Sequence, residues 1–518
     1  MNTLGELLAR NARIYPDREA LICGATRHSH RSLYDTALRV ADGLHRLGLR
    51  RQDRVAILSM NNVQYLELLA AGDVAGYIVA AMNFRLAPPE IEWLLGDCTP
   101  RILVFEARYT ATVDALRGRL EGVEHFVCIS DETSTTTPSW ALSWQSVVGE
   151  GNPQGPPFRS QPNDYGALVY TSGTTGRPKG ALRSQWRWVA TAQGGSHNSE
   201  FNSDTRVLLT TPAFHVGVIG YATQAWWNAG AVVLHRSFDA VHVLRAIESE
   251  RITFTFVVAA MLQALLDVPD CGRYDLGSLR NVVAAAAPVP VPLLRRAIER
   301  MGPIFSVQYG ATETAGTVMH RRDVRPEGSE RDLKRLASVG HPGPRSRLKV
   351  VDDAGHECPV GVAGEVLTFT DERFDGYWNN TAATLEVLRD GWYHTGDIGF
   401  LDEDGYLFLV DRKKDMIISG GENIYSREVE NAVLAHPAVQ DCAAIGVPDG
   451  KWGEVVRAVV VLKPGQSLST DALIAHCKTL IASYKCPKQV DVVAELPRTG
   501  TGKVSKIELR RRAQQEER

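Results

Sequence analysis

Along most of the chain, short apolar runs alternate with stretches whose apolar positions recur at helical spacing. Val55–Leu58, Ile102–Phe105, Leu168–Tyr170, Ala231–Leu234, Thr253–Val258 and Asn281–Val283 have the length and β-branched content of buried strands. Between them, Leu33–Leu47 and Ala240–Glu250 carry the period of amphipathic helices. Strands spaced by helices imply β-α-β crossovers and a largely parallel sheet. At the start, Thr3 and Glu6 fit a capping box that opens a helix with Leu4, Leu7 and Leu8 on one face.

The pattern changes after about residue 340. Arg347–Val351, Gly364–Phe369 and Tyr406–Val410 read as strands joined by tight turns, with Asp404-Gly405 a hairpin signal. A helix capped by Ser426 runs through Leu434 and stops at His436-Pro437, and Val456–Leu462 reads as a strand. Asp131–Pro157, rich in Ser, Thr, Gly and Pro, reads as a surface loop. The charged run Asp411-Arg412-Lys413-Lys414-Asp415 between two apolar strands marks a domain boundary. The predicted fold is α/β: a large N-terminal domain, 1–413, with parallel-rich sheets and a β-rich lobe, and a small α+β C-terminal domain, 414–518.

Composition adds limits rather than chemistry. A chain of 518 residues exceeds the ~250–300 at which one hydrophobic core stops growing, which agrees with more than one domain. Net charge is −3, too little to gather nucleic acid over distance, so no nucleic-acid partner is expected. No uncharged apolar run reaches the ~18 residues of a membrane span. Glu6 interrupts any signal-peptide core. The eight cysteines are scattered without a C-x-x-C pair, as in reduced thiols, and a cytoplasmic location is expected.

Chemistry concentrates first in Tyr170-Thr171-Ser172-Gly173-Thr174-Thr175-Gly176-Arg177-Pro178-Lys179-Gly180. The segment follows a strand, and its glycines let amide N–H groups converge on an anion. Hydroxyls and Lys179 add the donors and charge that a polyphosphate requires. It is not a Walker A loop, because Pro178 falls where the second glycine of that pattern belongs.

The run closely resembles the phosphate-binding signature of the adenylate-forming enzymes, among them acyl-CoA synthetases, aryl-CoA ligases and peptide-synthetase adenylation domains. Further signatures follow in that family's order: Tyr309-Gly310-Ala311-Thr312-Glu313-Thr314, Tyr393-His394-Thr395-Gly396-Asp397, Asp411–Asp415, and Pro497-Arg498-Thr499-Gly500-Thr501-Gly502-Lys503. The resemblance implies an ATP site made of Thr171, Ser172, Gly173, Thr174, Thr175, Gly176, Lys179, Ala286, Ala287, Pro288, Tyr309, Gly310, Ala311, Thr312, Asp397, Arg412 and Lys503. Glu313 supplies the hard oxygen that Mg²⁺ prefers, with the Thr174 hydroxyl beside it. Asp397 accepts hydrogen bonds only, which suits the paired hydroxyls of a ribose, with Arg412 assisting. Lys503 is implied as the cation that meets both the carboxylate and the α-phosphate, where charge accumulates on phosphorus.

The same resemblance makes Lys414 a hinge for a mobile C-terminal domain. It assigns Gly420 and Gly421 to a pantetheine tunnel, and Trp452, Lys485 and Lys488 to coenzyme A; Cys486 stands where some relatives carry an arginine. His215 is implied as a gate to the acyl channel and is counted with Lys503, Glu313 and Thr174 as catalytic. The acyl pocket is expected from His215, Val216, Gly217, Tyr221, Val257, Ala285, Tyr309, Gly310, Ala315, Gly316 and Met319. The segments around these residues contain no Lys or Arg, so a second substrate carboxylate would be buried without a counter-charge. An apolar monocarboxylate, fatty or aryl, is therefore expected, with Gly217, Gly316 and the alanines leaving room for bulk. The implied reaction is an ATP-dependent acyl-CoA synthetase with Mg²⁺ and coenzyme A. The alternative is a stand-alone adenylation enzyme that loads a carrier protein, and a homodimer is left open.

Overall fold

The computed structural model describes residues 1–131, 136–171, 177–285, 289–420, 422–499 and 503–516. The chain divides into two compact units. In the first, one sheet runs in the order His341–Pro342, Thr314–Met319, Phe305–Ala311, Asn281–Ala285, Phe254–Val257, Arg206–Leu209, Ala231–Leu234, Glu19–Cys23, Thr26–Ser29. The second runs Gly376–Tyr377, Lys179–Ser184, Tyr165–Thr171, Ile78–Ala81, Arg54–Leu58, Ile102–Glu106, His125–Ile129, Leu142–Ser143. The inner strands of both are parallel, as the crossover pattern predicts.

Val55–Leu58 and Ile102–Phe105 among them read as continuous apolar runs because both of their faces are covered. Val55 and Ile57 enter one core, while Ala56 and Leu58 enter another on the opposite face. The first of these cores also takes residues from both sheets and from helices Leu4–Ile14, His30–Arg46, Val63–Ala75, Gln185–Asn198 and Val216–Trp227. Those helices are therefore sandwiched between the sheets. Val63–Ala75 is buried nearly all round, capped by the Asn62 side chain and ended by Gly76 at φ 75°. Among the described residues no helix is long and apolar enough to cross a membrane.

The second unit comprises residues 348–367 and 394–518 among those described. Strands Trp392–Leu401 and Leu407–Arg412 pair antiparallel across the Asp404-Gly405 turn, where Gly405 takes φ 79°. A second sheet sets Val439–Asp449 and Gln489–Val492 on either side of Gly453–Leu462, with Ile417–Ser419 also joined to the latter strand. Helices Ser426–Leu434 and Thr470–Lys478 cover one face of it, and Lys506–Glu516 packs into a core on the other.

Three local expectations change. Thr3 caps its helix through the Glu6 amide at 3.1 Å, but the Glu6 carboxylate takes the Asn2 amide instead of closing the box on Thr3. The expected loop 131–157 holds a helix, Trp144–Glu150, capped by Ser143 and anchored by buried Trp144 and Val147. Ser426 does not cap: it is the first helical residue, and its hydroxyl donates to Asp411 at 3.0 Å.

Candidate functional site

In the larger unit the parallel strands Arg206–Leu209, Phe254–Val257, Asn281–Ala285 and Phe305–Ala311 end on one edge of their sheet. In open parallel sheets the carboxyl edge is where ligands bind, because the loops that follow diverge there. Here those loops carry His215 and the Ala311–Thr314 turn, and Ala285 ends its strand on the same edge. Asn61, fully buried, sets the first of them: its Nδ2 donates to the Thr211 and His235 carbonyls, and its Oδ1 accepts the Ala213 amide at 2.7 Å. His215 then begins helix Val216–Trp227, its ring 4.3 Å from that of Phe214.

His215, Val216, Gly217, Ala285, Tyr309, Gly310, Ala311, Thr312 and Ala315 keep surface open on this edge. Tyr221, Val257, Gly316 and Met319 are buried. The Tyr221 hydroxyl donates to Gln308 Oε1 at 3.0 Å, and its ring lies against Phe254 and Phe256. The room expected at Gly316 is already taken. A Cβ there would stand 2.6 Å from the Tyr309 carbonyl oxygen and 2.7 Å from its ring. Gly217 does leave space, its nearest neighbour among the described residues being Phe256 at 3.8 Å.

Glu313 is buried at the hairpin turn and held on two sides. The Tyr377 hydroxyl donates to its Oε1 at 2.7 Å, and the Phe374 amide donates to its backbone oxygen at 2.7 Å. Burial and the adjacent carboxylate push the Tyr377 phenol well above its ordinary range, so it stays a donor. Tyr377 pairs with Ala181 on strand Lys179–Ser184, and Lys179 Nζ lies 5.2 Å from the centre of its ring. Thr171 and Lys179 face each other across the hairpin that carries the glycine-rich loop. Ser172, Gly173, Thr174, Thr175 and Gly176 lie outside the described residues, as do Ala286, Ala287, Pro288 and Gly421. The structure thus brings Glu313 and Lys179 around Tyr377, a residue the sequence reading missed. No local signal marks Tyr377, because its partner lies 64 positions away.

In the smaller unit Asp397 and Arg412 are cross-strand partners, with Arg412 Nε 3.0 Å from Asp397 Oδ1. The Thr395 hydroxyl accepts the Asp397 amide and itself donates to the Val366 carbonyl. A carboxylate so oriented presents acceptor oxygen, with a guanidinium alongside. Lys414 is exposed in the turn just past Arg412, next to Asp415, which pairs with Arg510 at 3.0 Å. Exposed Lys503 starts the return of a loop closed by a Thr499 amide bond to its carbonyl at 2.7 Å and an Arg498–Val504 bridge.

Gly420 takes φ 61° and donates its amide to the Trp452 carbonyl, and a Cβ there would meet the indole at 2.7 Å. Lys488 and Lys451 stand 4.4 and 4.8 Å from the centre of that ring. Gly420, Trp452 and Lys488 therefore form one cluster. Lys485 does not join it: its ammonium is held by both oxygens of Glu428 at 2.8 Å. Cys486 is buried beside it.

The family model of the AMP-binding enzymes matches residues 8–378, and that of the AMP-binding enzyme C-terminal domain matches 428–503. The chain belongs to the AMP-binding, adenylate-forming enzymes. It is 38% identical over 513 residues to a feruloyl-CoA synthase of Amycolatopsis, covering 98% of this chain and 99% of that one. It is 37% identical to an indoleacetate–CoA ligase of Aromatoleum aromaticum, over 98% of this chain and 97% of the relative. Among solved structures, the anthranilate CoA ligase AuaEII in complex with anthranoyl-AMP superposes with a TM-score of 0.89 at 29% identity, covering 99% and 98% of the two chains. Membership in this family makes the enzyme ATP-using and accounts for the order of the motifs.

Proposed function

We propose that this adenylate-forming enzyme is an AMP-forming ligase that joins an apolar monocarboxylic acid, aryl or fatty, to coenzyme A. The observation that carries the reading is the open edge around His215, Gly217, Ala285 and Tyr309, whose described segments hold no Lys or Arg. Similarity along nearly the whole chain to ligases named for ferulate and indoleacetate supports it.

In the first half-reaction a carboxylate oxygen of the acid attacks the α-phosphorus of ATP and pyrophosphate leaves, giving acyl-AMP. Lys503 offsets the charge where the two anions meet. Thr171, Lys179 and the loop between them hold the phosphates, Ala286, Ala287, Pro288 and Tyr309–Thr312 flank the nucleotide, and Asp397 with Arg412 takes the ribose. Mg²⁺ needs only one or two protein carboxylates beside phosphate oxygens, and Glu313, oriented by Tyr377, fits that need with Thr174 as partner. When bound, the ion neutralises developing charge on the phosphates. In the second half-reaction the thiol sulfur of coenzyme A attacks the acyl carbonyl, AMP leaves, and the thiol proton passes to solvent. Gly420 and Trp452 guide the pantetheine arm and Lys488 meets a phosphate. Residues 414–518 turn about Lys414 between the two halves, with 1–413 as the larger body.

The deciding experiment is acid-dependent pyrophosphate release, with and without coenzyme A, over ferulate, indoleacetate, octanoate, malonate and succinate. Aryl and medium-chain acids with coenzyme A are expected to be the best substrates. Malonate or succinate turning over faster would overturn the apolar-acid reading. Release indifferent to coenzyme A would point to a carrier-protein acceptor.

A further inference from the structure

Arg183 lies four positions past Lys179 on the strand that leaves the phosphate loop, and it is 5% exposed. Its guanidinium reaches away from that strand to the Glu313 hairpin, where Nη2 donates to the Thr312 carbonyl at 3.0 Å. Nη1 donates to the Thr191 hydroxyl at 3.1 Å, and the plane lies over Trp188 at 4.6 Å. The side chain is therefore gripped on three sides and has one geometry. Its charge faces the Glu372, Asp375 and Glu313 carboxylates, with Arg187 as the neighbouring cation.

The same anionic segment, 371–377, is the one that clamps Glu313. Arg187 anchors it through Asp375 at 2.7 Å and the Asp371 carbonyl at 3.0 Å. Asp375 in turn accepts the Ser184 amide at 2.7 Å. Phe374 and Tyr377, from within this segment, bond the Glu313 backbone and carboxylate. Among the described residues Thr312 and Glu313 are thus held by at least three contacts, one from Arg183 and two from the segment its charge faces.

We infer that Arg183 is a positioning residue for the metal-binding carboxylate: by holding the Thr312 carbonyl it fixes where Glu313 presents its oxygen relative to the phosphate loop on the same strand. The inference rests on the proposed ATP and Mg²⁺ roles of Lys179 and Glu313. A buried cation that also touches the carbonyl next to Glu313 costs more to desolvate than an apolar residue of similar size. Its fork of donors explains why an arginine stands here, since a lysine could not hold Thr312 and Thr191 together.

The test compares wild type, Arg183→Met and Arg183→Lys in the full chain. Acid-dependent pyrophosphate release is titrated with Mg²⁺, and thioester formation from supplied acyl-AMP is measured separately. Loss of outer contacts to a metal ligand lowers metal affinity or activity by about 10–100-fold. The Mg²⁺ concentration giving half-maximal adenylation is expected to rise about tenfold in both variants, with thioester formation within about twofold of wild type. An unchanged Mg²⁺ requirement overturns the inference, and so does equal loss of both half-reactions, which marks a merely structural role. If Arg183→Met does not fold, Arg183→Lys decides, because it keeps the charge that the buried carboxylates face. Wild-type pyrophosphate release is measured first; its absence overturns the ligase reading itself and this inference with it.

Discussion

Two glycines expected in the acyl pocket should respond to alanine in opposite ways. Gly316 sits opposite the irregularity between Tyr309 and Gly310 in its hairpin, with the Tyr309 ring folded across it. A new Cβ would be 2.7 Å from that ring, so the ring must retreat roughly 0.8 Å to regain a favourable carbon–carbon contact of ~3.5 Å. The carbonyl 2.6 Å away belongs to the strand itself and cannot swing aside. Overpacking of this kind costs about 1–3 kcal/mol, enough to lower the apparent Tm by roughly 1–3 °C in a chain of 518 residues. Displacing Tyr309 by most of an ångström should lower kcat/KM for the acid by about 10–100-fold. Among the described residues Gly217→Ala meets only Phe256, at 3.8 Å, and it lies in a helix, so stability should hold or rise by up to about 1 kcal/mol. Its methyl narrows the open edge, so the loss should fall on the bulkiest acids. Thermal denaturation and pyrophosphate release with a short and a bulky acid measure both. Gly316→Ala matching wild type in Tm and kcat/KM would refute the reasoning, as would Gly217→Ala losing as much stability as Gly316→Ala.

Other outcomes follow from the same geometry. Lys503→Ala should abolish adenylation yet largely spare thioester formation from supplied acyl-AMP, and equal loss of both halves would remove its assigned role. Gly420→Ala combines a φ of 61° with a 2.7 Å approach to Trp452; it should slow thioester formation while pyrophosphate release in a coenzyme-A-free assay stays near wild type. Burial raises the Glu372 carboxyl from 4.5 to about 7, so between those values the folded chain keeps it protonated while the unfolded chain ionises it above about 4.5. Stability is then greatest below that value and falls as pH rises to about 7, by up to ~3 kcal/mol. Glu372→Gln should flatten this slope, which Tm measured at pH 5 and pH 8 for both proteins will show.

Much of the fold was legible because its strands are covered on both faces. Ile102–Phe105 and Val55–Leu58 had to be apolar throughout, and an unbroken run is hard to mistake. Trp144–Glu150 escaped notice because seven residues carry too little periodicity against the polar stretch before them. Its evidence is tertiary, in Val147 lying against Gly43. Ser426 looked like a cap because capping is a local pattern, whereas its hydroxyl is taken by Asp411, 15 positions earlier. At the candidate site, Glu313, Asp397 and Arg412 stood out through motif order, and the Asp397–Arg412 pairing agrees with their being read together. Lys485 looked as available as Lys488, because nothing near it in sequence announces Glu428 as its partner. Tyr377, Asn61 and Arg183 went unread for one reason: each acts on backbone or side chains 64 to 174 positions away.

The Tyr377–Glu313 bond joins an edge strand of one sheet to a hairpin of the other, across 64 residues of chain. Contacts of such separation form late, because loop closure precedes any reward from them. During refolding, helices and individual strands should return first, while the Glu313 oxygen finds its place only when both sheets are assembled. Catalytic competence therefore doubles as a report on completed assembly: regain of pyrophosphate release should lag regain of the far-ultraviolet signal, and a chain stalled with one sheet formed would have no activity to misapply.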